Sequence, residues 1–358
     1  MSCYKICVYA ICKNEEPFVD RWVASMSEAD GIFVLDTGST DGTVGKLAAH
    51  PNVTVTREEI VPWRFDVARN RSLALAPSDA DLCVCTDLDE VFVPGWRQAA
   101  EAALSTGAQQ LRYRYTWSFT EDGREGTVFY ADKMHARQGF VWTHPVHEVL
   151  AYTGEGRPRV ATAKGVQLNH YPDETKSRAG YLPLLELAVR ENPQDARDAH
   201  YLGREYLFAG RYDEAIAMLR RHLSLPGAVW DAERSASMRY IARCYAQKGD
   251  AAEAERWLLR ACAEAPRLRG PWMELARTAC EKEDWHAVIF AATRALAIPE
   301  NDGYISDAAD YAARPHDLLS LAYYRTGDKK SALSHVDKAL AYEPDNERLQ
   351  RNRTFFVS

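Results

Sequence analysis

The stretch Asp81-Leu82-Cys83-Val84-Cys85-Thr86-Asp87-Leu88-Asp89-Glu90 decides how the first half of the chain is read. In an extended chain successive side chains alternate, so Leu82, Val84 and Thr86 share one face and Cys83 and Cys85 the other. Both faces are largely apolar, the pattern of a strand covered on both sides. The run then ends in acid. Continued as a strand, Asp87 and Asp89 point the same way, and two converging carboxylates repel each other unless positive charge sits between them. A divalent cation with a phosphate-bearing ligand, at the carboxyl end of a buried strand, meets that need. A strand followed by a solvated acidic turn explains the same ten residues in a chain with 51 acidic groups, so the neighbouring sequence has to decide.

Upstream, Tyr4 to Cys12 reads as a first buried strand ending in Lys13-Asn14-Glu15-Glu16. Pro17 then suits the first turn of a helix carrying Phe18, Trp22, Val23 and Met26. Gly31 to Leu35 is a second strand running into Asp36-Thr37-Gly38-Ser39-Thr40-Asp41-Gly42-Thr43, where two glycines permit tight turns ahead of a helix. Asp36 is again an acid at a strand end, suited to accept from a ribose hydroxyl or a base N–H. Val53 to Thr56 makes a third strand, and Val67 to Ala76 a helix. Arg64, Arg69 and Arg71 lie just ahead of the acidic strand, as counter-charges to phosphate or holders of the carboxylates. No G-x-G-x-x-G follows the first strand and no phosphate-loop signature occurs, so the glycine-rich modes of nucleotide binding are excluded.

Downstream, Arg97 to Ser105 is helical, Gln110 to Phe119 alternates polar and aromatic residues as a half-exposed strand does, and Val166 to Tyr171 is the last strand before a helical region. His135, His144, His147 and His170 fall in this part, and His147-Glu148 joins a ligand type to a base type. The zinc-protease pattern is absent, since Tyr152 rather than histidine follows one turn on. The net charge of −7 argues against nucleic acid as a partner. The eight cysteines include no C-x-x-C pair and read as buried free thiols of a reducing, cytoplasmic compartment. No run has the length of a membrane span, and the amino terminus lacks the features of a signal peptide.

Four ordered blocks, ICKNEE at 11–16, LDTGSTDGT at 35–43, WRFDVARNRSLALA at 63–76 and DLDE at 87–90, make residues 4 to about 171 resemble a family 2 glycosyltransferase of GT-A fold. The resemblance implies that Asn14, Glu15, Asp36, Arg69, Asp87 and Glu90 serve the nucleotide-sugar donor, and that Asp89 and His170 hold Mn2+ or Mg2+. The acidic pair that supplies the base in the usual members is missing. The V-H-E segment at 146–148 stands in its place, which makes Glu148 the expected base, with His147 as its positioner or substitute.

From Tyr181 onward a helical pattern recurs. Ala254, Val288 and Ala332 follow Ala215 at intervals of 39, 34 and 44 residues, with small residues where paired helices touch. This is the tetratricopeptide pattern, in about four units, with the wider intervals marking insertions. The expected architecture is an α/β GT-A (Rossmann-like mixed sheet) domain over 1–178, followed by an all-α tetratricopeptide solenoid over 179–358. The expected activity is inverting, metal-dependent transfer of a hexosyl or N-acetylhexosaminyl group from a nucleotide-sugar, UDP-linked, to a peptide, protein or glycan. Trp96, Trp142, Trp230 and Tyr304 are acceptor-side candidates. A homodimer is a further expected association. The alternative is a peptide-binding scaffold with an inactive transferase-like domain.

Overall fold

The computed structural model describes residues 4–120, 123–173, 180–299 and 307–357. The chain divides into two compact units, residues 1–184 and 185–358. The first is a GT-A-like α/β domain and the second a tetratricopeptide-like helical array. Tyr304 and the expected boundary at 178/179 lie outside the described residues.

In the first unit β1 (Ile6–Cys12) is buried at every position. β2 (Gly31–Asp36), β3 (Val53–Arg57) and β4 (Leu82–Cys85) follow, and β1 pairs in parallel with both β2 and β4. The remaining strands are β5 (Glu90–Phe92), β6 (Gln110–Thr116), β7 (Val128–His135), the hairpin β8 (Phe140–Thr143) with β9 (Val149–Tyr152), and β10 (Val160–His170). All but β8 and β9, which form a two-stranded sheet of their own, build a mixed sheet in the order β3-β2-β1-β4-β7-β6-β10-β5. β7 and β5 run antiparallel to their neighbours, which makes the sheet mixed as expected, with β3, β2, β1 and β4 its parallel half.

Helices cover both faces. α1 (Val19–Ser25), α2 (Thr43–Ala48) and α4 (Trp96–Leu104) lie on the side where Val8, Val34, Val84 and Leu111 form the larger core with Trp22 and Trp96. α3 (Phe65–Leu75) packs on the other side, where Tyr9, Cys83, Cys85 and Leu73 meet Trp142. The two-sided burial of Leu82 to Cys85 is thus the one its alternating apolar residues demand. The alternation does not continue to the acids. β4 ends at Cys85, and Asp87 to Glu90 forms a turn in which the Asp87 N–H donates to Glu90 Oε2 (2.9 Å) and the Glu90 N–H to Asp87 O (3.1 Å). Asp87 and Asp89 therefore do not project in parallel from a strand.

The second unit begins within α5 (Tyr181–Glu191) and pairs α6 (Ala196–Phe208) with α7 (Tyr212–Ser224), and α8 (Asp231–Gln247) with α9 (Ala251–Glu264). α10 (Arg269–Glu281) then pairs with α11 (Trp285–Leu296), and α12 (Ala313–Arg325) with α13 (Lys329–Tyr342), before α14 (Glu347–Val357) closes the array. Side chains of Asp195, Asp250, Asp284 and Asp328 each accept the N–H three residues on, capping α6, α9, α11 and α13. Ala215, Ala254, Ala292 and Ala332 are buried at the helix contacts. At Gly203 an added Cβ would come within 2.5 Å of Leu219, so α6 and α7 meet through a residue with no side chain. Phe356 closes the last hairpin against Tyr324, while Phe355 is exposed. Among the described residues, no helix is long and apolar enough to cross a membrane.

Candidate functional site

Strands β1, β2, β4, β6 and β10 all run the same way, which follows from their pairings through β7. Their carboxyl ends bring Asn14, Asp36, Asp87, Trp117 and His170 to one edge of the sheet, the edge where open α/β sheets take ligands.

At the centre of that edge the acids are already matched with cations. Arg69 Nη2 lies 2.7 Å from Asp87 Oδ1, and Lys133 Nζ lies 3.7 Å from Asp87 Oδ2 and 3.1 Å from Glu90 Oε1. Burial works against charge on Asp87, yet the guanidinium and the ammonium prevail and hold its carboxyl well below the usual range. Glu90 goes the other way: burial pushes its carboxyl up, Lys133 opposes this and Asp87 adds to it. Glu90 also accepts from the Tyr115 hydroxyl (2.8 Å). β5 pairs Glu90 directly with His170, which sets the late histidine beside the turn. His170 Nε2 stands 3.4 Å from Asp89 Oδ2, and its Nδ1 is 3.0 Å from the Trp117 carbonyl. Burial lowers the affinity of His170 for a proton, but the bonds to Asp89 and Trp117 raise it further, leaving it above the ordinary histidine value.

Arg69 also reaches the V-H-E segment. Its Nε donates to Glu148 Oε1 (2.9 Å) and its Nη1 to Cys85 Sγ (3.5 Å), and its side chain is 4% exposed. One guanidinium thus joins the Asp87 turn to Glu148. Arg69, expected from sequence to serve the donor, thus forms an internal bridge through three of its contacts. The segment from His144 to Glu148 is the loop between β8 and β9. The amide of Asn70 on α3 fixes that hairpin, bonding Trp142 O (2.8 Å) and Trp142 N (2.9 Å). His144 and His147 have φ of 74° and 53°, a backbone region that non-glycine residues seldom occupy. Arg64 pairs with Asp66 and Arg71 is exposed beside Glu58, whereas Arg69 reaches Asp87 and Glu148.

At the β1–β2 end, Asn14 is exposed with φ of 56°, and its Oδ1 accepts the Thr40 N–H (2.8 Å). The Glu15 N–H donates to Thr43 Oγ1 (2.8 Å), and Glu15 is buried. Asp36 is 0% exposed; its oxygens accept from the Ser39 N–H (3.1 and 3.2 Å), the Gly38 N–H (3.3 Å) and Arg57 Nε (3.1 Å). Asp36 therefore shapes the loop and has no free surface for a ribose or base.

Trp96 and Trp142, read as acceptor-side candidates, are core residues. Trp96 stacks on Phe92, and Trp142 Nε1 donates to Tyr9 Oη (2.8 Å). Trp230 stands exposed ahead of α8. His135 belongs to a closed chain: Tyr9 Oη is 2.7 Å from its Nε2, and its Nδ1 is 2.8 Å from Ala136 O, so burial pushes it down to about 4. Sequence reasoning missed Lys133 and Trp117. A lysine inside an otherwise largely apolar strand was the available signal for the first, but its partner Glu90 is 43 residues away.

A family model described as glycosyl transferase family 2 matches residues 7–152. Lipopolysaccharide core biosynthesis glycosyltransferase LpsC of Rhizobium meliloti (strain 1021) is 26% identical over 107 residues, which is 30% of this chain and 39% of that protein. Among solved structures, YrrB, titled a TPR protein with an unusual peptide-binding site, is 14% identical, with TM-score 0.37, and covers 49% of this chain and 83% of its own. TTC0263, a thermophilic TPR protein of Thermus thermophilus, is 20% identical, with TM-score 0.33, and covers 50% and 90%. The family match falls within the first unit, which is thus a glycosyltransferase-2-like domain, while the helix pairs already described make the second unit tetratricopeptide-like.

Proposed function

We propose that the chain is an inverting, metal-dependent glycosyltransferase of the cytoplasm that moves a sugar from a nucleotide-sugar, UDP-linked, to an acceptor the repeats help to hold. The observation that carries the reading is the acidic turn at the carboxyl edge of the sheet, joined to Glu148 through a single buried guanidinium. In an inactive scaffold these pairs would be structural only, with no need for Asp87 to stay 36% exposed at the edge where such sheets take ligands.

Asp89 and His170 would hold a divalent cation. They set an oxygen and a nitrogen ligand type side by side, with Asp89 Oδ2 and His170 Nε2 3.4 Å apart. Bound there, the cation would neutralise charge on the departing nucleotide diphosphate. Asn14 and the loop that Asp36 organises hold the nucleoside end. Arg69 and Lys133 keep Asp87 ionised, and Arg69 fixes the direction of Glu148. The Glu148 carboxylate takes the acceptor proton as the acceptor atom bonds to the anomeric carbon and the bond to the diphosphate breaks on the opposite face.

The test is a thermal-shift panel of nucleotide-sugars with Mn2+ or Mg2+. A UDP-sugar is expected to raise Tm in a metal-dependent way, with the shift reduced in Asp89→Ala. Absence of any shift and of any nucleotide-sugar hydrolysis overturns the reading.

A further inference from the structure

The edge that carries the acids also carries an open aromatic surface that the donor does not explain. Trp117 follows β6 directly and is 48% exposed. Strand alternation puts it on the same face as Tyr113 and Tyr115, the face that carries His170. Its indole stacks on the His170 ring with centroids 4.5 Å apart and planes 23° from parallel. The partner of that imidazole is Asp89. A second stack lies next to it. Phe119 and Tyr171 are 5.2 Å apart and 4° from parallel, Tyr171 is 38% exposed, and its N–H donates to Asp89 O (2.8 Å). The Asp89 turn is therefore flanked by two aromatic stacks, each with an exposed member.

We propose that Trp117 is the platform for a pyranose ring of a saccharide acceptor, a site that rests on the transferase reading and narrows its acceptor from peptide, protein or glycan to glycan. The hydroxyl-poor face of a pyranose presents polarised C–H groups that suit the negative face of an indole, while its hydroxyls suit the acids and imidazole beside it.

A nucleobase is the wrong occupant. The nucleoside end lies at β1 and β2, and Trp117 follows β6, two strands beyond β4 on the other side. At about 4.8 Å per strand, that sets the end of β6 roughly 10 Å from the end of β4, and further still from β1 and β2. A peptide is also a poor fit. β6 is paired on both sides, by β7 and β10, so it offers no backbone edge for strand addition. The surface is a flat ring face rather than a pocket that encloses a side chain.

The test uses the full chain, a panel of neutral pyranose mono- and oligosaccharides, and saturation-transfer NMR, with the nucleotide-sugar thermal-shift panel run in parallel. The expected result is that at least one saccharide receives saturation on the C–H groups of one ring face, that Trp117→Ala binds it about tenfold more weakly, and that Trp117→Phe recovers part of the loss. Trp117→Phe keeps an aromatic ring in the stack and decides the matter where Trp117→Ala does not fold. Saccharide binding that neither substitution weakens, or no binding across the panel, overturns the platform, and so does Trp117-dependent binding of peptides instead. If nucleotide-sugars bind while saccharide binding ignores Trp117, the platform falls and the transferase reading stands. If Trp117-dependent saccharide binding is found but no nucleotide-sugar binds, the transferase reading falls alone.

Discussion

Two carboxylates in this protein are each held by two cations, one in each unit, and they serve opposite ends. In the repeat unit, Glu274 on α10 takes Arg239 (2.6 Å) and Arg243 (2.6 Å), both from α8 and one helical turn apart. The Glu274 side chain is 5% exposed. Burial opposes its charge, but the two guanidinium groups outweigh burial and keep its carboxyl below the ordinary value. That cluster is a lock: it ties the first helices of successive repeats through a carboxylate that is itself buried, and only its arginines, 23% and 39% exposed, reach the surface. In the GT-A-like unit, the cations of Asp87 come from α3 and β7, and the Asp87 side chain stays 36% exposed. Its neighbour Asp89 turns away to His170. Equal charge counts thus give a lock where the partners share one helix, and a site where they converge from separate elements onto a turn at the sheet edge.

Removing acid from the open cluster tests the contrast most severely. Asp89→Ala is expected to lower turnover by about a thousandfold, since it deletes a proposed metal ligand, with little change in melting temperature. A loss of stability with turnover retained would make Asp89 a structural acid like Glu274. Glu148→Gln comes next. It keeps the shape and the Arg69 contact but cannot take a proton, so transfer should fall by roughly 10²-fold or more while nucleotide binding persists in the thermal-shift assay. Unchanged kcat would move the base to His147 or elsewhere.

The closed cluster should respond in the opposite sense. Glu274→Gln leaves two guanidinium groups facing a neutral amide, and is expected to cost about 3 kcal/mol in denaturant unfolding, with nucleotide binding intact. Replacing the set with apolar residues of similar volume should restore much of that loss. If Glu274→Gln is silent, the cluster is ornamental and the comparison loses its second term.

What could be read from the sequence divides along the same line. The strands, the helix-pair repeats and the acidic run are periodic or local features, and the structure has them within a few residues of where the pattern puts them. The direction of Asp87 and Asp89 was misread because strand alternation was carried past Cys85, where Glu90 folds back to bond the Asp87 N–H. Trp96 and Trp142 were misread because a large aromatic looks the same in sequence whether it fills a core or lines a groove. Lys133 stands out in sequence only as a lysine in a largely apolar strand, because its meaning depends on the pairing of β7 with β4, a contact between distant segments. Closed and open sites differ in such non-local geometry, while both draw on the same classes of acidic and basic residue.

His135 shows that a closed polar group can also lie inside the GT-A-like unit, a few strand residues from the open one. The chain from Trp142 to Tyr9 to His135 to Ala136 satisfies both ring nitrogens of the neutral imidazole. Burial sets its folded pKa at about 4, below the ordinary histidine value of 6.5. Between those values the unfolded chain binds a proton that the folded chain does not, so stability rises with pH across this window and is lost as pH falls from 6.5 toward 4. The expected loss is about 1.5 kcal/mol between pH 6.5 and roughly 5, read by denaturant titration. His135→Phe should be less stable at neutral pH, because Tyr9 loses its acceptor, and its stability should vary less with pH across the same window. An unchanged slope in that variant would assign the acid sensitivity to other groups and remove His135 from the closed class.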